Sequence, residues 1–325
     1  MSAYKNEKYE EFDMPVIKVK GMAYVRLSAP DLDVMQKFLL DFGMQVAERT
    51  DNRLYSRGVG SDHHIHITHK GPAGFLGFAY EAASEEDLHK LAREVPGASP
   101  VEPRDEPGGG KLVRLIEPNG FTIEVVHGMA QRAGEDLVLT KMHKAGDPSQ
   151  RLGPARVVRL GHCVLATPKH LETIDWFRNT FGLIKTDDLY MGAPDNVFGS
   201  FSRADAGEDP VDHHVFFCFK GERAGMHHCS FEVADVNDIF IGHNNLEKLG
   251  YEHIRGVGRH ALGSQIFDYW SSPYDQMHEL WSSNEKFTAS SGSGAVGIGP
   301  GMSHDTGEKP SERFTKQTTP APQAA

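Results

Sequence analysis

Apolar and polar residues alternate along "GMAYVRLS", residues 21–28, and along "GHCVLAT", residues 161–167. A period of two predicts a strand in each place. Each strand runs into a Pro-containing turn and then a stretch with apolar residues at helical spacing, "LDVMQKFLLDF" and "HLETIDWFRNTF". Both stretches are closed by Phe-Gly, a glycine just past the last periodic residue being a helix stop. A second strand follows in each case. The correspondence continues downstream: "SDHHIHIT" (61–68) resembles "VDHHVFFC" (211–218), "LGFAYEA" (76–82) resembles "HHCSFEV" (227–233), and "EPNGFTIEVV" (117–126) resembles "SPYDQMHELW" (272–281). Each block also holds a second helical stretch, "SEEDLHKLAREV" and "VNDIFIGHNNLEKLG". The pattern therefore predicts an α+β chain of four βαβββ units arranged as two tandem domains, since repetition on this scale is a fold-level signal.

The 325 residues suffice for two domains with substantial cores. Composition places a polar lead-in at 1–17, a first domain at 18–142, a linker "HKAGDPSQRLGPAR" at 143–156, and a second domain at 157–284. The remainder, 285–325, is rich in Gly, Ser, Pro and Thr and is expected to be disordered. The net charge of −11 argues against nucleic acid as a partner. No apolar run reaches the roughly 18 residues that a membrane span requires. The start "MSAYKNEKYEEFDMP" has no apolar stretch of the secretory kind. Three cysteines, Cys163, Cys218 and Cys229, all fall in expected strands, so a reducing cytoplasm without disulfides is expected. Histidine is the unusual component: there are eighteen, several of them paired.

An internal copy serves as its own control, because positions alike in both copies are architectural and positions that differ can carry the chemistry of one. Alignment on Pro30 and Pro168 sets Tyr24 opposite His162; alignment on Glu81 and Glu232 sets Gly77 opposite His228; alignment on Pro118 and Pro273 sets Glu124 opposite Glu279. Only the second copy, with His, His and Glu, can bind a metal. Strand parity puts His162 on one face with Val164 and Ala166, and His228 on one face with Ser230 and Glu232, leaving His227 on the other. Two imidazoles and one carboxylate with open positions form the facial arrangement of non-haem Fe(II) oxygenases. Glu232 is a rival for Glu279 on these grounds, since both acids have counterparts in the first copy. The aromatic run "VFFCF" (215–219) reads as core.

With His162, His228 and Glu279 placed, residues 18–284 resemble the two-domain type I extradiol ring-cleavage dioxygenases, catechol 2,3-dioxygenase-like members of the vicinal oxygen chelate superfamily. The segment "RGVGRHALGSQIFDYWSSPYDQMHELW" (255–281) carries the likeness most specifically: Gly-Arg-His, then Tyr, then a Pro-containing turn, then Glu. The resemblance implies two vicinal oxygen chelate domains, each of two βαβββ modules forming an open barrel-like sheet, the first without metal. It implies Fe(II), in some relatives Mn(II), held by His162, His228 and Glu279, and so favours Glu279 over Glu232. It implies His214 as the proton-handling group, with His213 as the alternative, and Tyr269 and His260 as further catalytic groups. Arg255 and His213 are then substrate-contact candidates. The expected reaction is extradiol cleavage of a catechol-type diol with O₂, both oxygen atoms entering a 2-hydroxymuconic semialdehyde-type product, in a homo-oligomer. The rivals on the same fold are hydroquinone cleavage, a glyoxalase-like isomerase and a non-enzymatic small-molecule binder.

Overall fold

The computed structural model describes residues 14–135, 153–299 and 309–323. The first module comprises β1 (Val19–Ala29), α1 (Leu32–Phe42), β2 (Gln45–Arg49), β3 (Arg53–Arg57) and β4 (His66–Lys70). The second comprises β5 (Gly74–Ala82), α2 (Glu85–Glu94), β6 (Glu102–Pro103), β7 (Lys111–Ile116) and β8 (Thr122–His127). The third runs through β9 (Val157–Thr167), α3 (His170–Phe181), β10 (Ile184–Tyr190), β11 (Val197–Arg203), the short β12 (Val211–Asp212) and β13 (Phe216–Lys220). The fourth holds β14 (Gly225–Val233), α4 (Val236–Lys248), β15 (Glu252–Arg259), β16 (Ile266–Ser271) and β17 (Met277–Ser282). The expected βαβββ units are thus present in both halves.

The two sheets share one topology. The first has the order β2-β3-β4-β1-β5-β8-β7-β6, and the second follows it in reverse as β15-β16-β17-β14-β9-β13-β11-β10 before one added strand. The helices start and stop where the sequence provides caps. Asp31 and Asp235 accept from the first free amides of α1 and α4, Ser84 and Asp87 form a capping box on α2, and Gly43 and Gly182 close α1 and α3 with positive φ.

Each sheet buries its helix-bearing face in a single core shared by both halves. Phe42 meets Phe231 at 5.9 Å, Phe78 meets Phe177 at 5.8 Å, and Phe38 meets Tyr251 at 5.3 Å. The opposite faces curl inward. In the first sheet Arg53, on β3 near one edge, reaches Glu106, just beyond β6 at the other. That curvature brings side chains from several strands together on each helix-free face.

The segment read as a linker lies outside the described residues except for 153–156, and of the lead-in only 14–17 are described. The C-terminal stretch differs from the compositional expectation of disorder. Its described part forms β18 (Lys286–Phe287), β19 (Gly294–Gly297) and α5 (Glu312–Lys316). β19 pairs in parallel with β10, whose backbone would otherwise form a sheet edge. Thr319 then bridges to Met226, and Pro320 accepts from the Phe75 amide in the first half. A few apolar residues, Phe287, Val296 and Phe314, together with available backbone partners, anchor a segment whose average composition reads as unstructured.

Candidate metal centre

The β-ladders test the alignment of the two copies residue by residue. In the second half His162 faces Ser230 across β9 and β14, and Ser230 faces Glu279 across β14 and β17. In the first half Tyr24 faces Ala79, and Ala79 faces Glu124. Ser230 and Ala79 are therefore equivalent, and His228, two residues upstream, takes the place of Gly77.

His162, His228 and Glu279 converge on the helix-free face of the second sheet, each offering one donor atom within 4.8 Å of the others, and all three are buried. His162 Nε2 is 3.1 Å and His228 Nε2 is 3.4 Å from Glu279 Oε2. Donors bound at about 2.1 Å to one ion at right angles lie about 3 Å apart. Glu279 Oε2 is near both imidazoles yet has no acceptably aligned hydrogen bond, so its acceptor capacity is left for another partner. A fully buried carboxylate is costly unless a cation or several donors compensate it. Burial opposes ionisation of Glu279, but the imidazoles of His162, His228 and His260 outweigh it and hold the carboxyl well below its usual range. The donor set therefore fits a divalent transition metal.

The surroundings prepare His228 for that task. A bulge falls between Met226 and His228 in the ladder with β9, and it overrides the simple alternation that put His227 on the far face. His227 Nδ1 instead lies 2.6 Å from His228 Nδ1, while its Nε2 is 2.6 Å from the Phe314 carbonyl. A carbonyl only accepts, so His227 donates from Nε2 and accepts at Nδ1, and His228 donates from Nδ1. The His228 Nε2 lone pair is left toward Glu279. Burial lowers the His228 pKa, with Glu279 opposing, and takes that of His227 down to about 3.

His214 lies beside the triad, its ring centroid 4.0 Å from that of His162. Its Nδ1 is 3.0 Å from His213 Nδ1, and His213 Nε2 is 2.8 Å from Asp187. The structure places His213 behind His214, enclosed by Asp187, Phe201 and Phe287, and does not bring it to the triad. Because the Asp187 carboxylate accepts from His213, the same tautomer logic directs the His214 proton to Nδ1 and leaves its Nε2 lone pair unpartnered among the described residues.

His260 and Tyr269 lie beside the triad: His260 Nε2 is 2.9 Å from the Tyr269 hydroxyl and 3.4 Å from Glu279 Oε1. The Tyr269 ring meets His228 edge-on at 5.1 Å, and burial next to Glu279 pushes its hydroxyl pKa well above the ordinary value. Arg255 is buried with its guanidinium stacked between Phe267 at 4.6 Å and Phe314 at 4.8 Å. Glu232 pairs with Arg159 at 2.6 Å, as Glu81 pairs with Lys20, and stays outside the cluster.

Several contributors escaped the sequence reading. Of the run read as core, Phe216 and Cys218 are buried in the core, but Phe217 faces Val164 and stacks on Phe201 at 3.9 Å, on the same face as His162. Phe201 in turn meets His214 at 4.9 Å, giving an aromatic wall beside the triad. The period-two alternation of "FFCF" contained that division. Phe314 packs on Tyr269 and His227, both at 4.9 Å, from a segment with no such pattern. Asp187 had no signal beyond its place in β10.

Residues 159–281 match the sequence profile of the Glyoxalase/Bleomycin resistance protein/Dioxygenase superfamily. The chain is 29% identical over 282 residues to metapyrocatechase 2 of Cupriavidus necator, covering 80% of each protein. It is 22% identical to the manganese-dependent 2,3-dihydroxybiphenyl 1,2-dioxygenase of Geobacillus genomosp. 3, covering 79% of this chain and 82% of that one. Among solved structures, the substrate complex of homoprotocatechuate 2,3-dioxygenase from Brevibacterium fuscum superposes with a TM-score of 0.80 at 18% identity, covering 96% of each chain. The Mn(II)-bound glyoxalase from Novosphingobium aromaticivorans gives 0.79 at 21% identity, covering 94% of this chain and 96% of that one. The chain as a whole has the fold of the extradiol ring-cleaving dioxygenases on which it superposes.

Proposed function

We propose that the protein is an extradiol dioxygenase, opening the ring of a catechol-type diol beside its hydroxyl pair with O₂ and placing both oxygen atoms in a semialdehyde acid. The observation that carries this reading is the buried His162/His228/Glu279 donor set in one copy of a duplicated fold, where the other copy has none among its described residues. The ring-cleaving relatives support the substrate class. His162, His228 and Glu279 would hold Fe(II), with Mn(II) as the alternative that the manganese-dependent relative suggests. The ion supplies positive charge that makes catechol hydroxyls acidic and a site where diol and O₂ meet.

The chain's own residues manage position and protons. His214 Nε2 offers a lone pair beside the triad and can take a proton, then return it as the ring opens. His213 and Asp187 hold that tautomer in place. Tyr269 and His260, linked at 2.9 Å, donate to substrate oxygens as charge develops on them. Phe201 and Phe217 offer an apolar wall suited to a ring face. Arg255 is fixed by two aromatic rings and acts by shaping the pocket next to Tyr269.

The test is oxygen uptake by anaerobically Fe(II)-loaded protein over a panel of catechols, read together with the yellow absorbance of a ring-opened semialdehyde. Stoichiometric uptake with yellow product is expected. Absence of uptake across the panel, with either Fe(II) or Mn(II), would overturn the proposal in favour of an isomerase or a binding protein.

A further inference from the structure

β16 carries chemistry on both of its faces. Tyr269 points to the triad, and its neighbour Asp268 points the other way, toward α4. There the Asp268 carboxylate is completely buried. His243 of α4 approaches its two oxygens with Nδ1 at 3.2 and 3.3 Å, and His253 of β15 approaches with Nε2 at 2.9 Å. Each of the three offers one donor atom within 4.8 Å of the others, the condition otherwise met among the described residues by His162, His228 and Glu279. The spacings are similar to those of that triad, though here both imidazoles hydrogen-bond the carboxylate and an ion would replace those bonds.

The internal copy shows that the fold does not require these groups. Asp268 faces Leu280, one step from the Tyr269–Glu279 pair; in the first half Val113 faces Val125, one step from the Arg114–Glu124 pair. Val113, buried in the core, thus occupies the place of Asp268. His243 lies eight residues beyond the α4 cap Asp235, and Ala92 lies eight beyond the α2 cap Ser84. Where one copy has Ala and Val, the other has His and Asp. The same kind of difference marks the triad.

We propose that His243, His253 and Asp268 form a second divalent-metal site, separated from the first by the thickness of the sheet. Two imidazoles and a carboxylate suit a borderline ion such as Zn²⁺, and the paired imidazoles disfavour Mg²⁺ and Ca²⁺, which take oxygen ligands. Trp270 Nε1 donates to Asp268 at 2.6 Å and orients the carboxylate, the usual outer support of a metal ligand. The imidazoles are 24% and 31% exposed, so water can complete the coordination. An ion here ties α4 to β15 and β16, the strand that carries Tyr269.

The test is equilibrium dialysis of the chelator-stripped full-length protein against Zn²⁺, with bound metal counted by mass spectrometry. Two equivalents are expected for the unaltered protein and one for the double variant His243→Ala/His253→Ala, which leaves Asp268 the Trp270 donor. His228→Ala is also expected to retain one, but the other one: adding His243→Ala/His253→Ala to it should remove all zinc. Circular dichroism checks folding, and the single His253→Ala variant, expected to weaken zinc binding at least tenfold, serves should the double variant fail to fold. Zinc stoichiometry unchanged by the double variant, or zinc affinity unchanged by His253→Ala, overturns the proposal. Loss of all zinc in His228→Ala overturns it as well. None of these readings depends on dioxygenase activity, so the two proposals fail separately.

Discussion

The two helix-free faces solve the same burial problem by opposite means. In the second sheet a buried carboxylate, Glu279, lies among imidazoles and its Oε2 accepts no aligned hydrogen bond. In the first sheet the equivalent Glu124 is paired directly: Tyr24 donates to it at 2.7 Å, Arg26 at 2.7 Å and Arg114 at 3.2 Å. Arg26, Arg53 and Arg104 also surround Glu106. The histidine pair persists in both faces, with Nδ1 atoms 3.0 Å apart in each. In the first, however, Arg104 reaches His64 Nε2 at 2.8 Å, occupying the nitrogen that His214 leaves available. Guanidinium groups stand where the other face presents imidazoles. Gly77 completes the contrast: its φ is +138° and an added Cβ would lie 1.8 Å from the Thr122 carbonyl oxygen, so the first copy has no room for a ligand where the second has His228. The lesson is that the adjacent-histidine motif is architecture, and that the residues around it decide between a salt-bridge core and the cluster of imidazoles proposed as a metal centre.

This contrast can be broken at several points. The largest effect is expected for His228→Ala, which should reduce metal in the triad from one equivalent to none and abolish oxygen uptake, as read by metal analysis of the purified protein. His214→Ala should keep the metal and slow turnover on the order of 10²- to 10⁴-fold, the usual range for a general acid or base; equal loss of metal would contradict the assigned division of labour. In the first half, Glu124→Gln should leave metal content unchanged and cost about 1.5–3 kcal/mol, because buried Arg26 keeps Glu106 but loses one of its two charged hydrogen-bond partners. Chemical denaturation measures that difference.

The smallest effect is pH-dependent. Burial alone would raise the Glu106 pKa, but Arg26, Arg104 and Arg53 pull it down to about 2 from an ordinary 4.5. A depressed carboxyl pKa contributes stability above the unfolded value that is lost as pH falls. The first half should therefore lose about 1–2 kcal/mol between pH 4.5 and 2 through this group. Denaturation curves of Glu106→Gln should lack that component.

Much of this organisation was legible in the chain. Alternation and the Phe-Gly stops located β1, α1, β9 and α3, and the duplicated pattern gave the module count, because both signals are local and periodic. His162, His228 and Glu279 stood out as candidates because a copy lacking both histidines stands beside the copy that has them. What escaped depends on contacts set by the ladder or by distant segments. The bulge at His227 changes which way a side chain points without changing the residue pattern. Asp187 supports His213 across 26 positions, and Phe314 closes on His227 across 87. In the described part of the C-terminal stretch, average composition hides the few residues, Phe287, Val296 and Phe314, that lie against strands and rings of the second half.

The most direct test of the central claim is to follow the fate of ¹⁸O₂ in the product formed by Fe(II)-loaded protein from an accepted catechol, by mass spectrometry under rapid quench. The account predicts that both labelled atoms appear in one ring-opened semialdehyde acid. A product with no label, or a quinone formed with the label released to water, would contradict it.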